Sequence, residues 1–281
     1  MIPIKSFKKN ITSIISIFLF TLIPFLKLFP IKTFFISTFF LAQSNTKLFS
    51  EEFNKKNYEF HRKSYYEFLE KQNYSEAIKA LTKLIEIEPN HVYKSNFLND
   101  RGLLKGKLGD ISGAENDYLK AISLNKNSSI SYNEIGIIKR NSGDISGALS
   151  FFEKAIETGP NRFEGYHNLA QTKYVYLEDK DVSGAIFNYK KAIEVDPNHL
   201  RVSKTYKDLS NILAVEKQNF QASIYYASKA ISIDPKYAAA YHNRGISKRF
   251  IGDQKGACTD LKMALSLGNK NSLRWIKKFC N

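Results

Sequence analysis

Side chains able to do chemistry are sparse in this 281-residue chain, and their spacing rules out most reactions. The two cysteines, Cys258 and Cys280, lie near the C-terminus, and no CxxC pair exists to hold zinc through thiolates. No cysteine near the N-terminus is available for a lipoprotein anchor. The histidines, His61, His91, His167, His199 and His242, form no pair at metal-ligand spacing on one helix, so no metal is expected. The run GLLKGK from Gly102 to Lys107 echoes a phosphate-binding loop. It is one residue short, lacks the following Ser or Thr, and falls inside a helical pattern rather than after a strand. No set of nucleophile, base and orienting group is present, and no pair of acids stands out. No catalytic residue and no cofactor is expected, and the chain reads as a non-enzyme.

Self-comparison is more informative. The segments KALTKLIEIEPN, DYLKAISLNKN, FFEKAIETGPN, NYKKAIEVDPN, YYASKAISIDPK and DLKMALSLGNK align at their right-hand ends, at Pro89, Lys126, Pro160, Pro197, Pro235 and Asn269. The steps are 37, 34, 37, 38 and 34 residues, which a 34-residue unit with small insertions explains. Each unit reads as two helices. The first carries a large residue followed three and four positions on by a Leu-like and a small one, as in Tyr132, Ile135 and Gly136, or Tyr166, Leu169 and Ala170. That spacing places them on one face, and the small residue admits a partner helix closely. The second helix repeats Ala77, Ala114, Ala148, Ala185, Ser223 and Ala257, with Leu84, Ala121, Ala155, Ala192, Ala230 and Ala264 seven residues on. Asn73, Asp110, Asp144, Asp181, Asn219 and Asp253 stand where N-caps belong, each worth about 1 kcal/mol. Gly109, Gly143 and Gly252 precede three of them and suit the left-handed turn that ends the first helix. The recurring GDxxGA is therefore a helix turn and not a ligand loop.

These residues resemble the tetratricopeptide repeat family over six consecutive units, about residues 58–271. The resemblance implies an all-α, right-handed helical solenoid whose concave face commonly holds a peptide. Unit one fits most loosely, with His61 and Tyr65 at the large and small positions, and unit four carries three extra residues around Leu177–Lys180. Trp275 follows Tyr241 by 34 residues, so residues 272–281 read as a solitary first helix acting as a cap. Cys258 takes the apolar second-helix position of Ile78, Leu149, Ile186 and Ile224, facing the element that bears Cys280. Two readings stand side by side: a disulfide adding roughly 3 kcal/mol on the chain-entropy model, or two small buried hydrophobes.

At the first-helix position that family members point into the groove, this chain has Arg62, Asn99, Asn133, His167, Lys207 and His242. Neighbouring groove positions add Tyr66, Arg140, Tyr174, Asn211 and Arg249. None of the six is acidic or apolar, so they are expected to face away from the packing surfaces and present donors to an extended, acidic or carbonyl-rich peptide. The Lys and Asn combination of the family's chaperone-tail clamp is absent, and that specificity is not carried over.

The formal charge of +15 sits at the ends: +7 over residues 1–63 and +5 over the last 21, leaving +3 for the body. A near-neutral body lacks the basic stripe that phosphate neutralisation needs, so no nucleic acid is expected. Lys5, Lys8 and Lys9 precede apolar runs at Ile11–Leu26 and Thr33–Ala42. Residues 1–45 therefore read as a membrane anchor or as a signal cleaved near Ala42-Gln43-Ser44, with 46–57 as linker. Either directs the repeats to the membrane or to its non-cytoplasmic side. The expected function is a protein-binding scaffold with a protein or peptide partner, possible in complex assembly, or an accessory subunit of an enzyme carried by another chain.

Overall fold

A computed structural model describes residues 52–280. The chain divides into two compact units, residues 1–63 and 64–281. The described part of the first is helical, and the repeat array lies in the second. Residues 52–70 are helical (α1), so helix begins within the stretch read as linker. The membrane segment expected at 1–45 lies outside the described residues, among which no helix is long and apolar enough to cross a membrane.

Helices then alternate as the period predicts: α2 (Tyr74–Ile87), α3 (His91–Lys107), α4 (Ile111–Leu124), α5 (Ser129–Asn141), α6 (Ile145–Thr158), α7 (Phe163–Gln171), α8 (Val182–Val195), α9 (Val202–Val215), α10 (Phe220–Ile233), α11 (Ala238–Phe250), α12 (Gln254–Ser266) and α13 (Ser272–Phe279). Odd-numbered helices are the first helices of repeats 1–6, even-numbered ones the second, and α13 is the cap. The expected N-caps all act. Asn73, Asp110, Asp144, Asp181, Asn219 and Asp253 accept from the backbone N–H three residues on, at 2.8–3.3 Å. Ahead of them Gly109, Gly143 and Gly252 have φ of +85°, +88° and +89°. Repeats 1 and 5 hold the same left-handed turn with Gln72 and Gln218, at +54° and +48°, which composition did not announce.

Close packing follows from the small residues. A Cβ added to Gly102 would lie 2.8 Å from the Tyr118 ring, and one on Gly136 2.7 Å from Phe152. Buried clusters run from one repeat into the next, as with Ala170, Ala185, Tyr189, Leu209 and Ile212. Successive first helices touch at α5/α7 and α9/α11, whereas no two successive second helices touch comparably. A stack with its first helices closer together must curve with them on the inside. In repeat 4 the first helix ends in a π-helical turn, Thr172–Tyr176, and the extra residues around Leu177–Lys180 form the irregular link that leads to the Asp181 cap.

Candidate functional site: the first-helix face

The inner face is where a bound segment would lie, and it differs from the expected row of free donors. Asn99, Asn133 and His167 are buried, with 5%, 6% and 0% of their surfaces exposed. Each is spent on the next repeat. Asn99 donates to Ser128 Oγ at 3.1 Å and accepts from Ser131 Oγ at 2.6 Å. Asn133 Oδ1 accepts from Asn168 Nδ2 at 2.8 Å, and Asn168 in turn accepts from Arg201 at 3.1 Å. His167 Nδ1 pairs with Thr205 Oγ1 at 2.8 Å. His242, half-buried, makes the same kind of bond to Ser272 of the cap at 2.8 Å. At the first joint Tyr65 donates to Asp100. Consecutive first helices are thus joined by a polar ladder, because inward curvature brings their faces together and buried polar atoms there need partners.

The remaining candidates divide. Arg62 is exposed and pairs with Glu59 at 3.1 Å within its own helix. Lys207 is held by Asp208, and its carbonyl accepts from Asn243 at 3.3 Å. Tyr174, in the π-helical turn, donates to Glu216 at 3.0 Å, and burial first, then that carboxylate, push its pKa up to about 12. Asn211 is half-buried on α9 and Tyr66 is exposed on α1. Arg140 donates through Nη1 to Gln171 at 3.1 Å, and its guanidinium lies 5.1 Å from the Tyr176 ring centroid and 5.6 Å from that of Phe152. Its Nε–H is buried without a partner, as is that of Arg249, whose guanidinium sits 4.8 Å from the Phe279 ring centroid.

Electrostatically the centre of the face is His167. Thr205 gives its hydroxyl proton to the Arg201 carbonyl at 3.3 Å, so His167 Nδ1–H donates to Thr205. The ring's Nε2 then faces the Lys204 ammonium at 3.5 Å as an acceptor. Burial, followed by the nearby charges of Arg201, Lys204 and Arg140, pulls the imidazole down to about 2, so it stays neutral. Desolvation also lowers the pKa values of Arg140, Arg201 and Lys204. Lys204 has Asp208 at 3.6 Å, and Arg201 feels Glu164 and Glu134. Arg140 makes no ion pair with an acid among the described residues. The face therefore carries cationic character at repeats 3–5, supplied by Arg140, Arg201 and Lys204.

Sequence reasoning missed two buried ion triads. In repeat 2, Asp117, fully buried, takes Arg101 at 2.6 Å and Lys105 at 2.8 Å; in repeat 6, Asp260 takes Arg244 at 2.7 Å and Lys248 at 2.8 Å. Burial pushes Asp117 up, but the two cations outweigh it and hold the carboxyl low. The signal was present: Arg and Asp recur sixteen apart where repeats 3 and 4 have Ile135 with Phe151 and Leu169. Cys258 and Cys280 are joined as a disulfide, with Cα atoms 5.5 Å apart. Among the described residues no three His, Cys, Asp or Glu group as metal ligands.

Comparison with known proteins bears on this geometry. The tetratricopeptide repeat sequence model matches residues 62–91, 95–128 and 163–199. Tetratricopeptide repeat protein 36 of Danio rerio is 40% identical over 62 residues, which span 22% of this chain and 33% of that protein. Among solved structures, YrrB, described as a TPR protein with an unusual peptide-binding site, superposes with a TM-score of 0.57 at 21% identity, over 72% of this chain and all of that one. PilF of Pseudomonas aeruginosa gives 0.66 at 14% identity, over 80% and 98%. Those two likenesses concern the fold alone. The matched segments are thus tetratricopeptide repeats, and the six capped helix pairs carry the same packing through the rest of the array.

Proposed function

We propose that this protein is a scaffold that holds an acidic, extended segment of a partner protein against the first-helix face of repeats 3–5. Tetratricopeptide repeats serve as protein-interaction scaffolds, and the reading rests on one observation in particular. Arg140 is a half-buried guanidinium flanked by aromatic rings, without an acidic partner among the described residues, on the inner face beside Arg201 and Lys204. A desolvated cation of this kind gains more from an incoming carboxylate than an exposed one, because charge-assisted bonds strengthen as water is excluded. Asn99, Asn133 and His167 act beneath the segment, fixing the curvature of the surface on which it lies. The apolar residues 1–45 would hold this scaffold at a membrane or send it across one, and the acidic segment would belong to a partner on that side.

Panning a random-peptide display library against the protein tests the reading. Sequences rich in Asp and Glu are expected, and the double variant Arg140→Ala, Lys204→Ala should lower their affinity about ten-fold or more, two charge-assisted bonds being removed. Selection of neutral or basic peptides, or undiminished binding by a folded double variant, would remove the groove assignment. Membrane fractionation and N-terminal sequencing test the location: recovery of a soluble protein that retains Met1 would count against it.

A further inference from the structure

The cap helix α13 has a second face that the array does not use. Ser272 is buried, and Trp275 packs at a tilt against Phe279 and edge-on to Phe250, at centroid distances of 5.4 and 6.3 Å. The disulfide to Cys258 and a hydrogen bond from Gln254 to the Phe279 carbonyl fasten the same side. The outward side is lined by Lys270, Leu273, Arg274, Lys277 and Lys278 around an open hollow of about 520 Å³. Leu273, Arg274, Lys277 and Lys278 recur at the three- and four-residue steps of one helical face, and Lys270 joins them from the turn just before the helix. No Asp or Glu follows Asp260 in the sequence, and Asp260 itself is buried against Arg244 and Lys248.

A terminal repeat needs a polar outer face to keep the array soluble, but mixed charges meet that need with less self-repulsion. A face with four cations and no acidic side chain, around a 41% exposed leucine, has the composition of helices that rest in a lipid interface. The hollow has room for a headgroup rather than for a single ion. From this arrangement we infer that the outward face of α13 is a docking site for anionic phospholipid headgroups, with Leu273 reaching the acyl boundary. Each Lys or Arg at such a surface raises partitioning roughly five-fold. The rigid attachment of the helix keeps its charges aligned on one plane. This inference stands apart from the groove and uses none of its residues.

Trp275 is the chain's one tryptophan and lies on α13, so its emission reports on the cap in the full-length protein even when residues 1–45 are inserted elsewhere in the same vesicle. The full chain would be mixed with vesicles of phosphatidylcholine alone or with added phosphatidylglycerol, both doped with a headgroup-attached quencher. Quenching of Trp275 is expected in anionic vesicles, reversed by high salt and weak in neutral ones. The variant with Lys270, Arg274, Lys277 and Lys278 all changed to Glu should lose it at least about ten-fold. The milder variant with the same four changed to Gln, kept in case charge reversal impairs folding, should fall in between. Equal quenching in neutral and anionic vesicles, or unchanged quenching in either variant, would overturn the inference. So would a shift of Trp275 emission by soluble polyglutamate without any quenching by anionic vesicles, which would give the face to an acidic protein instead.

Discussion

Repeats 2 and 6 and the repeats between them fill the same slot with opposite chemistry. Where repeat 3 packs Ile135 against Phe151, repeat 2 places Arg101 against Asp117, and Lys105 and Lys139 occupy equivalent positions beside them. The backbone pairing is the same in both, so helix–turn–helix geometry here does not depend on an apolar residue at that site. What the triad requires is completeness. Asp117 and Asp260 each meet two cations, and a half-made triad would leave a desolvated charge. Without such triads, repeats 3 and 4 keep their polar links between successive first helices, the ladder that also reaches repeats 2 and 6, with neutral His167 at its centre.

The sharpest way to break this comparison is to leave a triad incomplete. Asp117→Ala should cost about 3–5 kcal/mol, because two cations lose their counter-charge. Arg101→Ile with Asp117→Phe, which rewrites repeat 2 as repeat 3, should recover most of that loss in a urea melt. A double variant as unstable as Asp117→Ala would show that the slots are not interchangeable.

Acid should separate the two regions with a smaller effect. His167 is neutral when folded and binds a proton when unfolded below pH 6.5, so stability falls as pH drops from 6.5 toward about 2. At pH 4.5 the loss is about 3 kcal/mol. Asp117 has a lowered pKa, so its triad keeps its contribution above the ordinary carboxylate range and loses it only as pH falls through the folded value. Hydrogen-exchange protection should therefore fall between pH 7 and 4.5 in α7 and α9, while that of α3 and α4 holds until the pH drops below the ordinary carboxylate range. His167→Gln should flatten this trend, and an unchanged slope in that variant would place the acid sensitivity elsewhere.

The smallest effect is one that should not distinguish the regions at all. Asp144→Ala in the middle and Asp253→Ala at the end should each cost about 1 kcal/mol, since both caps are exposed and satisfy a single local N–H. A difference much beyond that between the two midpoints would mean that the caps sense their surroundings.

That contrast between local and long-range effects also marks what could be read without coordinates. The period, the helix pairs, the six caps and the close approach at Gly136 were legible because each depends on residues within one repeat. A cap needs a side chain three residues from its N–H, and a close helix crossing needs a small residue opposite a large one; both recur at every period. The groove was legible only as a position. Asn99, Asn133 and His167 were read as free donors, yet a side chain on a helical face is exposed only if no other helix covers it. The covering residues, Ser131, Asn168 and Thr205, arrive 32 to 38 positions later. Their approach is set by the curvature of the stack, which arises from the summed packing of all the interfaces. Sequence by itself determined that this chain builds a tetratricopeptide array; tertiary structure decided which inward-facing polar groups join the repeats and left Arg140 without an acidic partner among the described residues, because burial depends on the distance between helices and not on the pattern along them.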